Sequence, residues 1–186
     1  MSKYTDALPS PERASINTGM APCPTAYLER EFGLPRPRSS IKPTCQPPTV
    51  PKWKRVMETK DVGPFSATGH YKFLEVLERA FRVLKRDNPD LHDRLGSAGC
   101  LCIRWVRGSK SVVSNHSFGL AIDLTIDGFL DTRGDNATQR GLFEVYKVFK
   151  DHGLFWGAEF KTEDSMHFEA SAALVQSWIK NGTFWR

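Results

Sequence analysis

Apolar positions along the chain fall into two regimes. From Tyr71 to Arg86, the residues Phe73, Leu74, Leu77, Ala80, Phe81 and Leu84 recur at steps of three and four. That spacing lines one face of a helix, and Pro89 limits its extent. The same period over residues 138–152, carried by Leu142, Phe143, Tyr146 and Phe149, predicts a second helix with Gly153 as its cap. A third is expected over residues 171–180, ahead of Asn181 and Gly182. Between them lie short β-rich runs at residues 101–106, 120–126 and 166–168, which read as strands. The order α, β, β, α, β, α predicts an α+β fold, a small mixed or antiparallel sheet flanked by helices.

Residues 1–51 behave differently. They show no useful periodicity beyond a short helix around residues 26–32, and they hold ten of the twelve prolines. Proline fixes φ and removes a backbone donor. The segment therefore reads as a proline-rich N-terminal arm that lies over the domain or links it to something else, with the folded domain spanning residues 52–186.

Composition narrows the class. A chain of 186 residues suits one domain plus an arm. With 40% hydrophobic and 25% charged residues it has ordinary globular usage, which disfavours disorder along the whole length. The net charge of +5 is spread over both regions. Without a basic stripe or a reading motif it argues against a nucleic-acid partner. No stretch approaches the roughly 18 apolar residues of a transmembrane segment. The first 21 residues contain no apolar run suited to a signal peptide. Synthesis in the cytoplasm is expected, and any action outside the cell would need lysis-linked release or dedicated secretion.

The cysteines are Cys23, Cys45, Cys100 and Cys102, which allow three full pairings. Cys100 and Cys102 would share a face of a strand and are poorly placed to bond each other. A Cys23–Cys45 bridge within the arm is the simplest pairing, and free, partly buried thiols are the default reading.

Candidate chemistry concentrates in two stretches. In the run from Ser114 to Leu124, strand alternation puts Leu120, Ile122 and Leu124 on a core face and Gly119, Ala121 and Asp123 on the other. The small side chains leave Asp123 uncovered, with His116 entering from the preceding loop. In the run from Glu163 to Glu169, Met166 and Phe168 would face the core while His167 and Glu169 point away. A single His near an Asp is usually a surface pair. Together, however, His116, Asp123 and His167 make a three-ligand set for one Zn2+ ion, with a fourth position open for water. Asp164, three residues before His167, is the natural base, and Glu163 is its neighbouring competitor. Glu169 could orient His167 from behind. His70 and His92 lie in polar segments expected to be exposed, and His152 suits a helix C-terminus. Of the tryptophans, Trp156 is the one that could serve as a platform for substrate rather than as core.

The string Ser-x-His-x-x-Gly-x-Ala-x-Asp at 114–123, followed by Asp-x-Met-His-Phe-Glu at 164–169, resembles the zinc-dependent D-alanyl-D-alanine carboxypeptidases of the VanY-like peptidase family M15. Two further pieces are similar to the family, the run from Cys102 to Gly108 and the run from His152 to Gly157. The resemblance covers residues 98–170. It implies a murein peptidase with a sheet like that of hedgehog domains, one zinc held by His116, Asp123 and His167, and Asp164 as catalytic base. Arg107 is the implied cation for a substrate carboxylate or the developing oxyanion, with Arg104 second. The implied substrate is the stem peptide of peptidoglycan, cut as a carboxypeptidase or an endopeptidase. The missing signal run favours a delivered lytic enzyme, such as a phage endolysin or a secreted effector. The competing reading is a catalytically inactive, zinc-containing module that binds the cell wall or a partner.

Overall fold

The computed structural model describes residues 3–106 and 108–186. Its helices are α1 (Thr25–Phe32), α2 (Pro51–Val56), α3 (Tyr71–Asp87), α4 (Pro89–His92), α5 (Arg140–Asp151) and α6 (Ala172–Lys180). Its strands are β1 (Ala7–Pro9), β2 (Met57–Asp61), β3 (Ser66–His70), β4 (Leu95–Gly99), β5 (Ala121–Ile126), β6 (Phe129–Leu130), β7 (Ala137–Gln139), β8 (Leu154–Trp156) and β9 (His167–Ala170). The protein is an α+β fold. Its main sheet runs β4-β5-β9-β8 with every neighbouring pair antiparallel, and β6 extends the edge of β5 past β9.

The periodic segments become the helices that cover this sheet. α3 buries Phe73, Leu74, Leu77, Ala80, Phe81 and Leu84, and the Phe81 ring meets Phe149 of α5 edge-on at 5.2 Å. Each of these Phe and Leu side chains removed from water contributes about 1.5–3 kcal/mol. α5 starts two residues later than its apolar period suggests, because residues 137–139 pair with β1 as a strand. The Ser171 hydroxyl accepts Leu174 N at 3.3 Å and so starts α6.

The expected strand over residues 101–106 does not form. The first strand of the main sheet is β4, and the run after it makes only isolated bridges, Ile103 to Gln46 and Trp105 to Val113. Its backbone groups are taken instead by the N-terminal segment and by the His116 turn, where Cys102 N donates to His116 O at 3.0 Å. Residues 3–51 pack into the same core, burying Tyr4, Ile16, Leu28 and Ile41. A disulfide joins Cys45 to Cys102, while Cys23 and Cys100 are buried thiols. The bridge thus ties the N-terminal segment to the loop beside His116 rather than closing within that segment.

Two histidines expected at the surface are buried. His70 caps α3, accepting Lys72 N on Nδ1 at 3.3 Å and donating from Nε2 to Phe184 O at 3.0 Å. His92 lies under the Phe81 ring with Nδ1 bonded to Asp93. Among the described residues no helix is long and apolar enough to cross a membrane.

Candidate active site

Strand register assembles half of the site. β5 and β9 pair so that Asp123 stands directly opposite His167, and Ala121 opposite Glu169. Alternation puts these four on one face, while Ile122, Leu124 and Phe168 are fully buried on the other. His116 arrives from a short 3-10 turn, Asn115–Phe118, which the Ser114 hydroxyl caps by accepting His116 N at 3.4 Å. Gly119 ends that turn at φ +64°, and a Cβ there would stand 2.5 Å from His70 N. Both the left-handed backbone and the close approach demand glycine.

Three donor atoms converge. His116 Nε2 lies 3.2 Å from Asp123 Oδ1 and 3.2 Å from His167 Nδ1, and His167 Nδ1 is 3.1 Å from Asp123 Oδ1. The remaining ring nitrogens are committed outward. His116 Nδ1 donates to Cys100 O at 2.9 Å, and His167 Nε2 donates to Glu169 Oε2 at 2.8 Å. Those bonds leave the inward nitrogens as lone pairs, so three acceptors face one another. Such a cage needs a cation at its centre. Ligands about 2.0–2.1 Å from a tetrahedral zinc stand about 3.3 Å apart, close to the spacings here. The residues therefore fit one zinc ion.

Electrostatics point the same way. Burial works against charge on Asp123, but the hydrogen bonds and charges of His116 and His167 outweigh it and hold the carboxyl well below the usual range. Burial also opposes a charge on His167, yet its bonds to Asp123 and Glu169 push it up to about 10. A proton on His167 is one way to satisfy the cage, and a metal ion is the other.

Asp164 lines the same cleft. Its backbone is fixed at both ends: its N–H donates to Gly157 O at 3.1 Å, and its carbonyl accepts His167 N at 3.0 Å. A Cβ on Gly157 would lie 2.6 Å from that carbonyl, so glycine is required for the approach. Burial raises the Asp164 carboxyl above its ordinary value, with His167 and Arg133 opposing and Asp123 and Glu163 adding. Arg133 Nε donates to its Oδ2 at 3.1 Å. Glu163, by contrast, is 3% exposed and accepts Ser165 N at 2.6 Å and Gly134 N at 3.1 Å. It braces the loop and does not face the cleft. Trp156 is fully buried, stacks on Tyr146 and donates Nε1 to Ser165 O at 2.7 Å. It supports this loop from below and offers no surface to a substrate.

The cleft is about 460 Å³. Arg104 stands on one wall, while Arg107 lies outside the described residues. Leu130 and Arg133 also line the cleft. Residues 22–25 of the N-terminal segment close one side, held by the Pro22 to Ser171 bridge and by Asn115 Nδ2 donating to Cys23 O at 3.1 Å. Burial, with the charge of Glu169 adding, pushes the Cys23 thiol up to about 12, so it stays protonated. Arg133 and this wall are the parts of the site that motif reasoning missed. Arg133 stands in the turn-forming run Asp131-Thr132-Arg133-Gly134-Asp135-Asn136, whose only sequence signal is a cation just past the Asp123 strand.

A buried two-imidazole, one-carboxylate cage open to a cleft, with a second acid beside it, is the arrangement a single-metal hydrolase requires. Residues 107–170 match the family model described as D-alanyl-D-alanine carboxypeptidase. The match covers about a third of the chain and runs from the loop before His116 to the end of β9. It supports a peptidase of that family. No curated protein was found to match the chain.

Proposed function

We propose that this protein is a zinc-dependent peptidase acting on the stem peptide of peptidoglycan. The observation that carries the reading is the convergence of His116 Nε2, Asp123 Oδ1 and His167 Nδ1 within 4.8 Å of one another, on a cleft that Asp164 also lines. His116, Asp123 and His167 would hold the ion, and zinc at such a site polarises a carbonyl and acidifies water.

The chain's own residues supply the rest. Asp164 takes the proton from the attacking water and delivers it to the leaving amine; its raised pKa suits both roles. Cys100 O and Glu169 fix the ring orientation and tautomer of the two histidines, so their lone pairs are presented without reorganisation. Arg104, on the cleft wall, supplies positive charge for the carbonyl oxygen as it becomes anionic. Arg107 keeps the same role on the strength of the resemblance alone. The buried floor under the cage, Phe168 and Ile122, excludes water from behind.

Digestion of purified peptidoglycan followed by mass spectrometry of the muropeptides tests this reading. Loss of D-alanine or a shortened stem, abolished by a chelator and restored by Zn2+, is the expected result, and the mass change names the bond. Intact muropeptides from zinc-loaded protein would overturn it in favour of a binding module.

A further inference from the structure

Arg133 stands on the cleft with its charge only partly used. It belongs to the loop between β6 and β7, which is pinned along its length. Gly134 N donates to Glu163 Oε2, Ala137 N to Asp135 Oδ1 at 2.9 Å, Gln139 N to Asp131 Oδ1 at 3.2 Å, and Ser10 N to Asn136 O at 3.1 Å. The acids on either side of Arg133, Asp131 and Asp135, bond amides of β7, and Asp131 also lines the cleft. The guanidinium faces the same cleft, where Nε meets Asp164 Oδ2.

A guanidinium carries five N–H donors in a planar fork, and Asp164 engages the one on Nε. Among the described residues, no acceptor is hydrogen-bonded to Nη1 or Nη2. The side chain is 39% exposed, so that outer edge is open to a ligand. It is the edge that pairs in a two-pronged way with a carboxylate. Glu163 sets the geometry of the whole pair. One of its oxygens holds the amide next to Asp164 and the other holds the amide next to Arg133. A buried brace of this kind keeps the guanidinium at a fixed place on the rim, unlike a cation on a loose surface chain.

We propose that Arg133 is the carboxylate-reading residue of the cleft: Nε keeps Asp164 in place while Nη1 and Nη2 receive a free carboxylate of the bound peptide. The inference rests on the peptidase reading above and adds to it the residue that receives the substrate's acidic group, Arg133, on the Asp164 side of the cleft. Leu130, which lines the same cleft and is 46% exposed, offers apolar surface to the bound peptide.

Two synthetic stem peptides of one sequence test this, one with its carboxylates free and the other with every carboxylate converted to a carboxamide. Each is presented to zinc-loaded wild type, Arg133→Gln and Arg133→Lys, reading kcat, KM and equilibrium binding by calorimetry. Wild type should favour the free acid by about tenfold or more, chiefly through KM and binding, since a charge-assisted contact contributes about 1.5–3 kcal/mol. The ratio should fall to near one in Arg133→Gln, with Arg133→Lys in between. A ratio that survives in Arg133→Gln, a uniform loss on both peptides, or no binding of either peptide overturns the proposal. Preferential binding of the acid without cleavage supports it and sinks the peptidase reading. Cleavage of both peptides without preference does the reverse.

Discussion

His70 and His167 are both buried imidazoles, yet their proton affinities move in opposite directions. His70 lies at the start of α3 between a backbone amide and a backbone carbonyl, packed on Tyr71 and Phe184. Burial lowers it to about 3; the bond to Phe184 O opposes, and the positive charges of Arg186 and Lys72 add. His167 lies between Asp123 and Glu169, whose carboxylates overcome burial and push it up to about 10. Burial sets the cost of a charge, and the sign of the neighbours decides whether that cost is met. One region has built a neutral helix cap. The other has built a set of acceptors that calls for a cation.

The comparison breaks most completely if the cage is dismantled. Asp123→Ala or His167→Ala should abolish tight zinc binding and leave no detectable peptidase activity, whereas His70→Gln should still bind one zinc per chain, by metal analysis after dialysis. Acid tests the other region. In the folded state His70 titrates near 3, against 6.5 as the ordinary value, so the unfolded chain binds more protons between those values. Stability from this group is fully present above about pH 6.5 and drains away as pH falls toward 3. The loss is on the order of 5 kcal/mol at about 1.4 kcal/mol per unit. Urea titrations across that window should show a shallower acid decline in His70→Gln than in wild type.

Smaller effects sharpen the contrast. The disulfide closes a sequence separation of 57 residues, and its removal in Cys45→Ser should cost about 2–4 kcal/mol. Because Cys102 N bonds His116 O, amide exchange should rise around the His116 turn more than at the His70 end of α3. Smallest is Glu169→Gln, which keeps an acceptor for His167 Nε2 but removes its charge. It should weaken zinc binding by about 10–100-fold in a competition titration.

Local periodicity made α3, α5, α6 and β5 legible, because a core face repeats within a few residues. It also put His116, Asp123 and His167 together in advance, since their spacing and alternation are features of two short segments. Contacts between distant segments were not legible. The run 101–106 looks like a strand in composition, but its partners Gln46 and Val113 lie in segments that carry no strand signal. β4, with the sequence Leu-Gly-Ser-Ala-Gly, has little β character of its own and forms because β5 offers it an edge. His70 looks polar until Phe184, more than a hundred residues later, covers it. Arg133 and residues 22–25 join the site only through the paths of a turn-rich loop and of the N-terminal segment.

In the proposed hydrolytic site, zinc and Asp164 have separable roles. Metal content and muropeptide turnover, measured on the same preparations of wild type and Asp164→Ala, test it most directly. One zinc per chain in both proteins is expected, with turnover in the variant reduced about 10²–10⁴-fold. A native protein without bound zinc, or an Asp164→Ala variant with full activity, would contradict it.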